Sequence, residues 1–315
     1  AALMTRRFSQ ITEITKLMEE CKALKIATLG PDVNESRIGF GVNKHGEIRF
    51  GLSAIKGMGA SAAESIVRER MENGPYKDIY DFAERVDFSN VNRKAFESLA
   101  YSGGFDSFGL QREQYFAITG KGDSFLDTIV RYGQLFQAEK AQQQNSLFAG
   151  MDAIDVVHPV APKAEKWPVI EKLNKERELV GIYLSAHPLD EYSVVLNNMC
   201  NTHCSKIGRN ADMTQLAKAD EVTFGGIVTS VNERFSQKTG KPFGFVTIED
   251  FGGTGELALF GDDWARWNNL LKMNYTVYIT AKCQPRYRNN PELLELKVQK
   301  IEQLYDVKKN RLERL

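Results

Sequence analysis

The sequence predicts a multidomain α+β fold, helical over most of its length and ending in a small five-stranded barrel. Three observations carry this. Apolar residues recur at helical spacing in blocks from residue 10 to about residue 198. From Val222 the period turns to the alternation of half-buried strands. Between two of the helical blocks, residues 149–168 hold Pro159, Pro162 and Pro168 and few large apolar groups, the composition of a linker.

The helical part opens on Ile11, Ile14, Leu17, Met18, Cys21 and Leu24, which share one face until Gly30-Pro31-Asp32. Ile48-Arg49-Phe50-Gly51 reads as a short extended piece after a turn at Asn43 to Gly46. Ser61 with Glu64 three residues on has the pattern of a capping box, so a helix is expected to start there and to stop at Asn73-Gly74-Pro75. Further helices are expected over Ile79 to Val86, from Asn92 to Tyr101, and from Gln111. Ser124 and Asp127 open a long one carrying Phe125, Ile129, Tyr132 and Phe136. Past the linker, helices are expected at 169–183 and up to about Asn198.

Strands are expected near 222–232, 243–249, 254–260, 275–284 and 293–301, with a helix from Asp262 to Leu271 before the fourth. Five strands with a helix in that place is the element order of an OB-fold barrel. The pattern therefore divides the chain into a helical part up to residue 148, 149–220 as linker and helical connector, 221–305 as barrel, and 306–315 as a charged tail.

Composition narrows the function. Lys+Arg and Asp+Glu are both 41 in 315 residues, a net charge of +0, which does not fit a purely electrostatic DNA binder. Nucleic-acid contact must come from local patches or backbone donors. No run of eighteen apolar residues is present to span a membrane, and Ala1 to Arg7 lacks a signal peptide's apolar core. That start reads as the middle of a helix, as if the chain were truncated. Cys21, Cys200, Cys204 and Cys283 are too sparse for a disulfide framework and suit a reducing cytoplasm. Cys200, His203, Cys204 and His187 match no common zinc spacing, so no metal is expected. Asp262 and Asp263 begin a helix, where acids are ordinary, and no phosphate-loop motif occurs, so no catalytic set is expected.

Three groups remain as binding candidates. The first is Lys56, Gly57, Met58 and Gly59 leading into Ser61. Two glycines two apart let the backbone approach a ligand, and the free N–H groups of the next helix favour an anion. This is the helix-hairpin-helix arrangement, which grips phosphate without reading bases. Ser102, Gly103 and Gly104 form a second copy, and two copies would hold both strands of a duplex. The same glycines would equally serve as plain helix caps. The second group is Gln144, Ser146, Leu147 and Phe148, a polar residue followed by an adjacent apolar pair that either plugs a partner's pocket or folds onto the core. The third is the barrel: Arg234, Phe235, Lys238 and Lys241 in its first loop, Arg286, Tyr287 and Arg288 in its last, and Phe243 and Phe245 on its second strand. Those loops and that strand face bind single strands in OB-folds, unless the two phenylalanines point inward.

Several stretches resemble the α subunit of bacterial DNA polymerase III, of the C family: Gly30-Pro31-Asp32-Val33-Asn34; Ile48 to Gly59; Val91-Asn92-Arg93-Lys94 leading to Ser102-Gly103-Gly104-Phe105-Asp106; and Glu176 to Asp190. The resemblance covers nearly the whole chain. It alone implies a split of the helical part into 1–45, the end of a fingers domain, and 46–148. It also implies that the hairpins bind duplex DNA, that the barrel lies near single-stranded template, and that Gln144, Ser146, Leu147 and Phe148 bind the sliding clamp. Asn145 stands where the family often has leucine. The catalytic aspartates and two magnesium ions would belong to a palm domain upstream, and other replisome subunits would meet regions not present here, so this chain is expected to need no cofactor and to have no polymerase activity. The alternatives are a self-contained DNA-repair accessory protein and a translesion paralogue of the same family.

Overall fold

The computed structural model describes residues 1–7, 11–120, 122–145, 157–208, 211–237, 239–287 and 290–312. The chain divides into two compact units, Ala1–His187 and Pro188–Leu315. The division falls inside the stretch read as linker and connector.

The first unit begins with α1 (Ala2–Arg6) and α2 (Ile11–Ala23), followed by three two-residue strands, β1 (Thr28–Leu29), β2 (Gly41–Val42) and β3 (Ile48–Arg49). β3 lies between the others, parallel to β1 and antiparallel to β2. Helices α3 (Ala60–Asn73), α4 (Ile79–Arg85), α5 (Arg93–Ser102), α6 (Arg112–Phe116), α7 (Phe125–Asn145) and α8 (Val169–Val180) follow. Local chemistry sets several of their starts. The Asp78 carboxylate accepts from the amides of Tyr80 and Asp81 at α4, and Asn92 Oδ1 accepts from Ala95 at α5. At α7, Ser124 and Asp127 bond reciprocally: each side chain accepts from the other's backbone amide.

The expected capping box of Ser61 and Glu64 does not form. Helix α3 starts two residues earlier, with extended Gly59 in place of Ser61 as its N-cap and no side-chain cap. Ser61 is thus already inside the first turn, and the amides there keep no side-chain acceptor.

One apolar core serves this unit, and it takes Met4, Ile14, Val33 and Phe40 together with the residues of α3 to α7. Phe82 stands at its centre, edge-on to Tyr76 at 4.8 Å, Phe105 at 5.0 Å and Phe96 at 5.2 Å between ring centroids. Leu173, Glu176 and Val180 turn inward from α8, which ends at Gly181 in a left-handed conformation.

The second unit starts with α9 (Ser193–Met199) and then forms β4 (Val222–Phe235), β5 (Pro242–Asp250), β6 (Gly253–Phe260), α10 (Asp262–Trp267), β7 (Thr276–Tyr287), β8 (Asn290–Gln303) and α11 (Leu304–Leu312). The sheet order is β6-β5-β4-β7-β8, and every pairing is antiparallel. A register shift at Val228 to Ser230 lets β4 serve both halves, with β7 along its start and β5 along its end. No ladder joins β6 to β8 among the described residues. This is the partly open, five-stranded OB barrel with its helix before the fourth strand, as expected. Alternation fixes the faces of β5: Gly244, Val246, Ile248 and Asp250 are buried, while Phe243, Phe245, Thr247 and Glu249 are half-buried on the outer face. The Trp264 ring lies against Gly244, where a Cβ would collide with it, and its Nε1 donates to Glu233 Oε1 at 2.9 Å. The helix α10 therefore plugs the barrel.

Candidate nucleic-acid interface

The first hairpin is built by alternation of inward and outward residues. Ile55 and Met58 are buried at 1% and 6% exposure, while Lys56, Gly57, Gly59, Ala60 and Ser61 are exposed. Met58 also donates its amide to Ile55 O at 3.0 Å, so it anchors the turn and offers no donor to a ligand. The amides of Gly57, Gly59, Ala60, Ser61 and Ala62 have no acceptor among the described residues. They cluster at the start of a 14-residue helix, whose dipole adds positive potential there.

Lys56 itself is held from two sides. Its amide donates to Leu179 O of α8 at 2.8 Å, and its carbonyl accepts from Ser98 Oγ of α5 at 3.0 Å. Gly57 has φ +88° and lies against α5, so that a Cβ there would come within 2.6 Å of Ser98 Oγ and 3.2 Å of Lys94 Cε. The Lys94 side chain thus runs beside the turn, and two exposed lysines, 56 and 94, flank the free amides. Lys94 escaped notice as a site residue in the sequence, because only the fold brings it to Gly57.

The second hairpin has a different character. Ser102, Gly103 and Gly104 are buried. Gly103, at φ +88°, caps α5, and both Gly103 and Gly104 donate to Leu99 O, the latter at 2.7 Å. Ser102 Oγ donates to the same carbonyl at 3.3 Å. These three residues terminate a helix in the interior and present no free donor at the surface, which is the plain capping role the glycines also allowed. The space a Cβ would need at Gly103 is filled by the Arg112 guanidinium.

On the barrel, Phe243 and Phe245 point outward rather than into the core. They meet edge-on at 5.7 Å, and Phe260 of β6 joins them, stacked on Phe243 at 5.7 Å and 40% exposed. Arg286 places its guanidinium over the Phe260 ring, 5.0 Å from the centroid. Arg234 lies opposite Phe243 in the β4–β5 register, on the same outer face, and Phe235 is 69% exposed beside it. Arg234, Phe235, Arg286 and Tyr287 were expected in loops but lie in β4 and β7, because both hairpins continue further than their apolar alternation does. Exposed Lys241 pairs with Asp262 at 3.1 Å. Phe260 was readable in principle, since Leu257 and Leu259 face inward and leave Ala258 and Phe260 outward.

Lys238, Arg288, the side chain of Tyr287, the side chain of Gln144, and Ser146, Leu147 and Phe148 lie outside the described residues. His187, without an evident partner in the sequence, packs edge-on against Tyr183 at 5.2 Å. Burial, with the Asp250 charge, pushes the Cys200 thiol up to about 12, and Cys204 is raised for the same reasons. Among the described residues no group of three or more His, Cys, Asp or Glu is arranged to hold a metal ion, and no helix is long and apolar enough to cross a membrane.

Two family models match. Residues 25–115 match the helix-hairpin-helix motif, and residues 222–304 match the OB-fold nucleic acid binding domain. Fold and site together define a protein with a helix-hairpin-helix unit followed by an OB-fold barrel. The chain is 29% identical over 282 residues to the DNA polymerase III subunit alpha of Xylella fastidiosa, covering 86% of this chain and 23% of that protein. It is 31% identical over 270 residues to that of Vibrio cholerae, covering 85% and 22%. By these matches it belongs to the DNA polymerase III alpha subunit family, and it spans a little under a quarter of the length of the relatives it matches. Among solved structures, the SSB domain of a Synechococcus protein is 14% identical, covers 27% of this chain and 94% of that one, and has a TM-score of 0.21, too low to carry an argument.

Proposed function

We propose that this chain guides DNA for a replicative polymerase. The first hairpin holds a duplex phosphate, the outer face of the barrel holds single-stranded template, and Gln144, Ser146, Leu147 and Phe148 hold a sliding clamp. The observation that carries the reading is the cluster of exposed amides at Gly57, Gly59, Ala60 and Ser61, with Lys56 and Lys94 beside it. Backbone donors at a helix start bind phosphate without reading sequence, as a polymerase must. A neutral chain suits this, since contacts in series multiply modest affinities through effective concentration. Catalytic aspartates, their magnesium ions and contacts with other replisome subunits belong, in this reading, to other parts of such a polymerase.

The test is fluorescence anisotropy with a primer–template duplex and with a single strand. Lys56→Ala with Lys94→Ala weakens duplex binding and leaves single-strand binding in place, whereas Phe243→Ala with Phe260→Ala does the reverse. Leu147→Ala with Phe148→Ala abolishes capture by the cognate clamp. Absence of duplex binding by the unsubstituted chain would sink the hairpin part of the reading. Clamp binding indifferent to the last pair would return Leu147 and Phe148 to the core.

A further inference from the structure

Arg112 and Glu176 form an ion pair buried in the first unit. The Arg112 and Glu176 side chains are 4% and 1% exposed, with Nη1 donating to Oε2 at 3.0 Å. Arg112 also donates to Asp106 through Nε at 2.9 Å and Nη2 at 2.6 Å, and to Tyr101 O through Nη1 at 3.2 Å. Burial alone would lower this guanidinium, but the bonds and charges of Asp106, then Glu176, outweigh it and hold it above its ordinary value. Glu176 Oε1 accepts the amides of Leu184 and Ser185 at 2.7 and 2.8 Å, and Ser185 Oγ donates to Oε2. An ion pair so placed is a weak source of net stability but a strong fixer of geometry.

What it fixes is the helix pair that grips Lys56. Tyr101 belongs to α5 and Glu176 to α8, so Arg112 ties the end of one helix to the other. One turn from Glu176, Leu179 O receives the Lys56 amide, and about one turn from Tyr101, Ser98 Oγ holds the Lys56 carbonyl. A change in the setting of α8 against α5 would pull these two holds apart and turn the Lys56–Gly57 peptide. We infer that Arg112 and Glu176 are positioning residues for the phosphate-facing hairpin, acting through α8. The inference rests on the function proposed above for that hairpin, and it makes a helix read from sequence as a connector part of the duplex site.

The test uses Glu176→Gln, which keeps the shape and removes the charge, in the full chain. Two readouts are taken: hydrogen exchange at the Lys56 amide, and affinity for duplex against single strand. The expected result is faster Lys56 exchange and severalfold weaker duplex binding, with single-strand binding and the slope of affinity against salt unchanged, because no phosphate-contacting cation is lost. A folded Glu176→Gln variant with wild-type Lys56 exchange and duplex affinity would overturn the inference. Should Glu176→Gln fail to fold, Arg112→Lys keeps the charge but loses the planar fork that joins Tyr101 O to Glu176, and it is expected to weaken duplex binding in the same manner; an unchanged affinity there would overturn it equally. If the unsubstituted chain binds no duplex, the proposed hairpin function fails, and the inference, which has then lost the site it positions, falls with it. A chain that binds duplex but ignores both substitutions fails the inference alone.

Discussion

The Arg286 guanidinium covers the Phe260 ring at 5.0 Å from its centroid, and Phe260 in turn stacks with Phe243 at 5.7 Å. A base needs roughly twice a 3.5 Å stacking distance to enter between two planes, so neither gap admits one. In the function proposed above, a base reaching this face would therefore stack on the outside of this group and not within it. Arg286→Lys keeps the charge and loses the plane. It is expected to weaken single-strand binding while leaving the salt dependence unchanged. Phe260→Ala and Phe243→Ala are each expected to cost about 1–3 kcal/mol in single-strand affinity, without loss of fold, because both rings stand outside the core. Titration of labelled single strand at several salt concentrations checks both.

Gly57 and Gly59 look alike in the sequence and differ in the structure. Gly57 has φ +88° and its Cβ position meets Ser98, whereas Gly59 is extended at φ −72° and its Cβ position meets only Ser61 Oγ at 3.8 Å. Gly57→Ala is expected to destabilise the first unit by about 1–2 kcal/mol from the left-handed backbone alone, and more from the contact with α5. Gly59→Ala is expected to leave stability within about 0.5 kcal/mol. Urea unfolding of the two variants separates them, and equal effects would contradict this geometry.

Lys56 and Lys94 carry a prediction of their own. If each neutralises one phosphate, removal of either lowers the slope of log affinity against log salt by about 0.9 on duplex DNA. The double variant lowers it by about twice that. A loss of affinity with no change of slope would mean that the lysines shape the turn and do not touch phosphate.

What the sequence made legible was what neighbours along the chain decide. Asp78, Asn92 and Ser124 cap helices within three residues of themselves, and the alternation in 243–249 puts Phe243 and Phe245 on one face, while which face is the outer one came from the structure. The burial and amide bonding of the two hairpins could not be told apart that way. Each shows glycines at a helix boundary, but Gly57 stands before a helix with its amides free, and Gly103 stands after one with its amides bonded to Leu99. Lys94, and the hold of Leu179 on Lys56, depend on contacts between distant segments that no local pattern encodes. The over-short strands have a related cause. Apolar alternation fades before Arg234 and Arg286, but their backbone ladders continue as hairpin ribbons.

Cys200 and Cys204 give a test by chemistry and by pH. Burial, helped by Asp250, raises both thiols, Cys200 to about 12, so the reactive thiolate is scarce near neutrality. Alkylation by iodoacetamide at pH 8 is expected to leave both unmodified in the folded chain and to reach both in urea. The sign for stability follows from the same shift. A thiol whose folded pKa lies above its unfolded value contributes fully below the unfolded value of 9.0 and loses that contribution as pH rises toward about 12. By pH 10 the loss at Cys200 is about 1 kcal/mol, after allowance for its partial exposure to solvent. Comparison with Cys200→Ala isolates it, because the variant has no thiol to ionise. The stability difference between wild type and variant should therefore be constant below pH 8 and move against wild type above pH 9. A difference that stays flat to pH 11 would mean that the Cys200 thiol meets solvent much as it does in the unfolded chain.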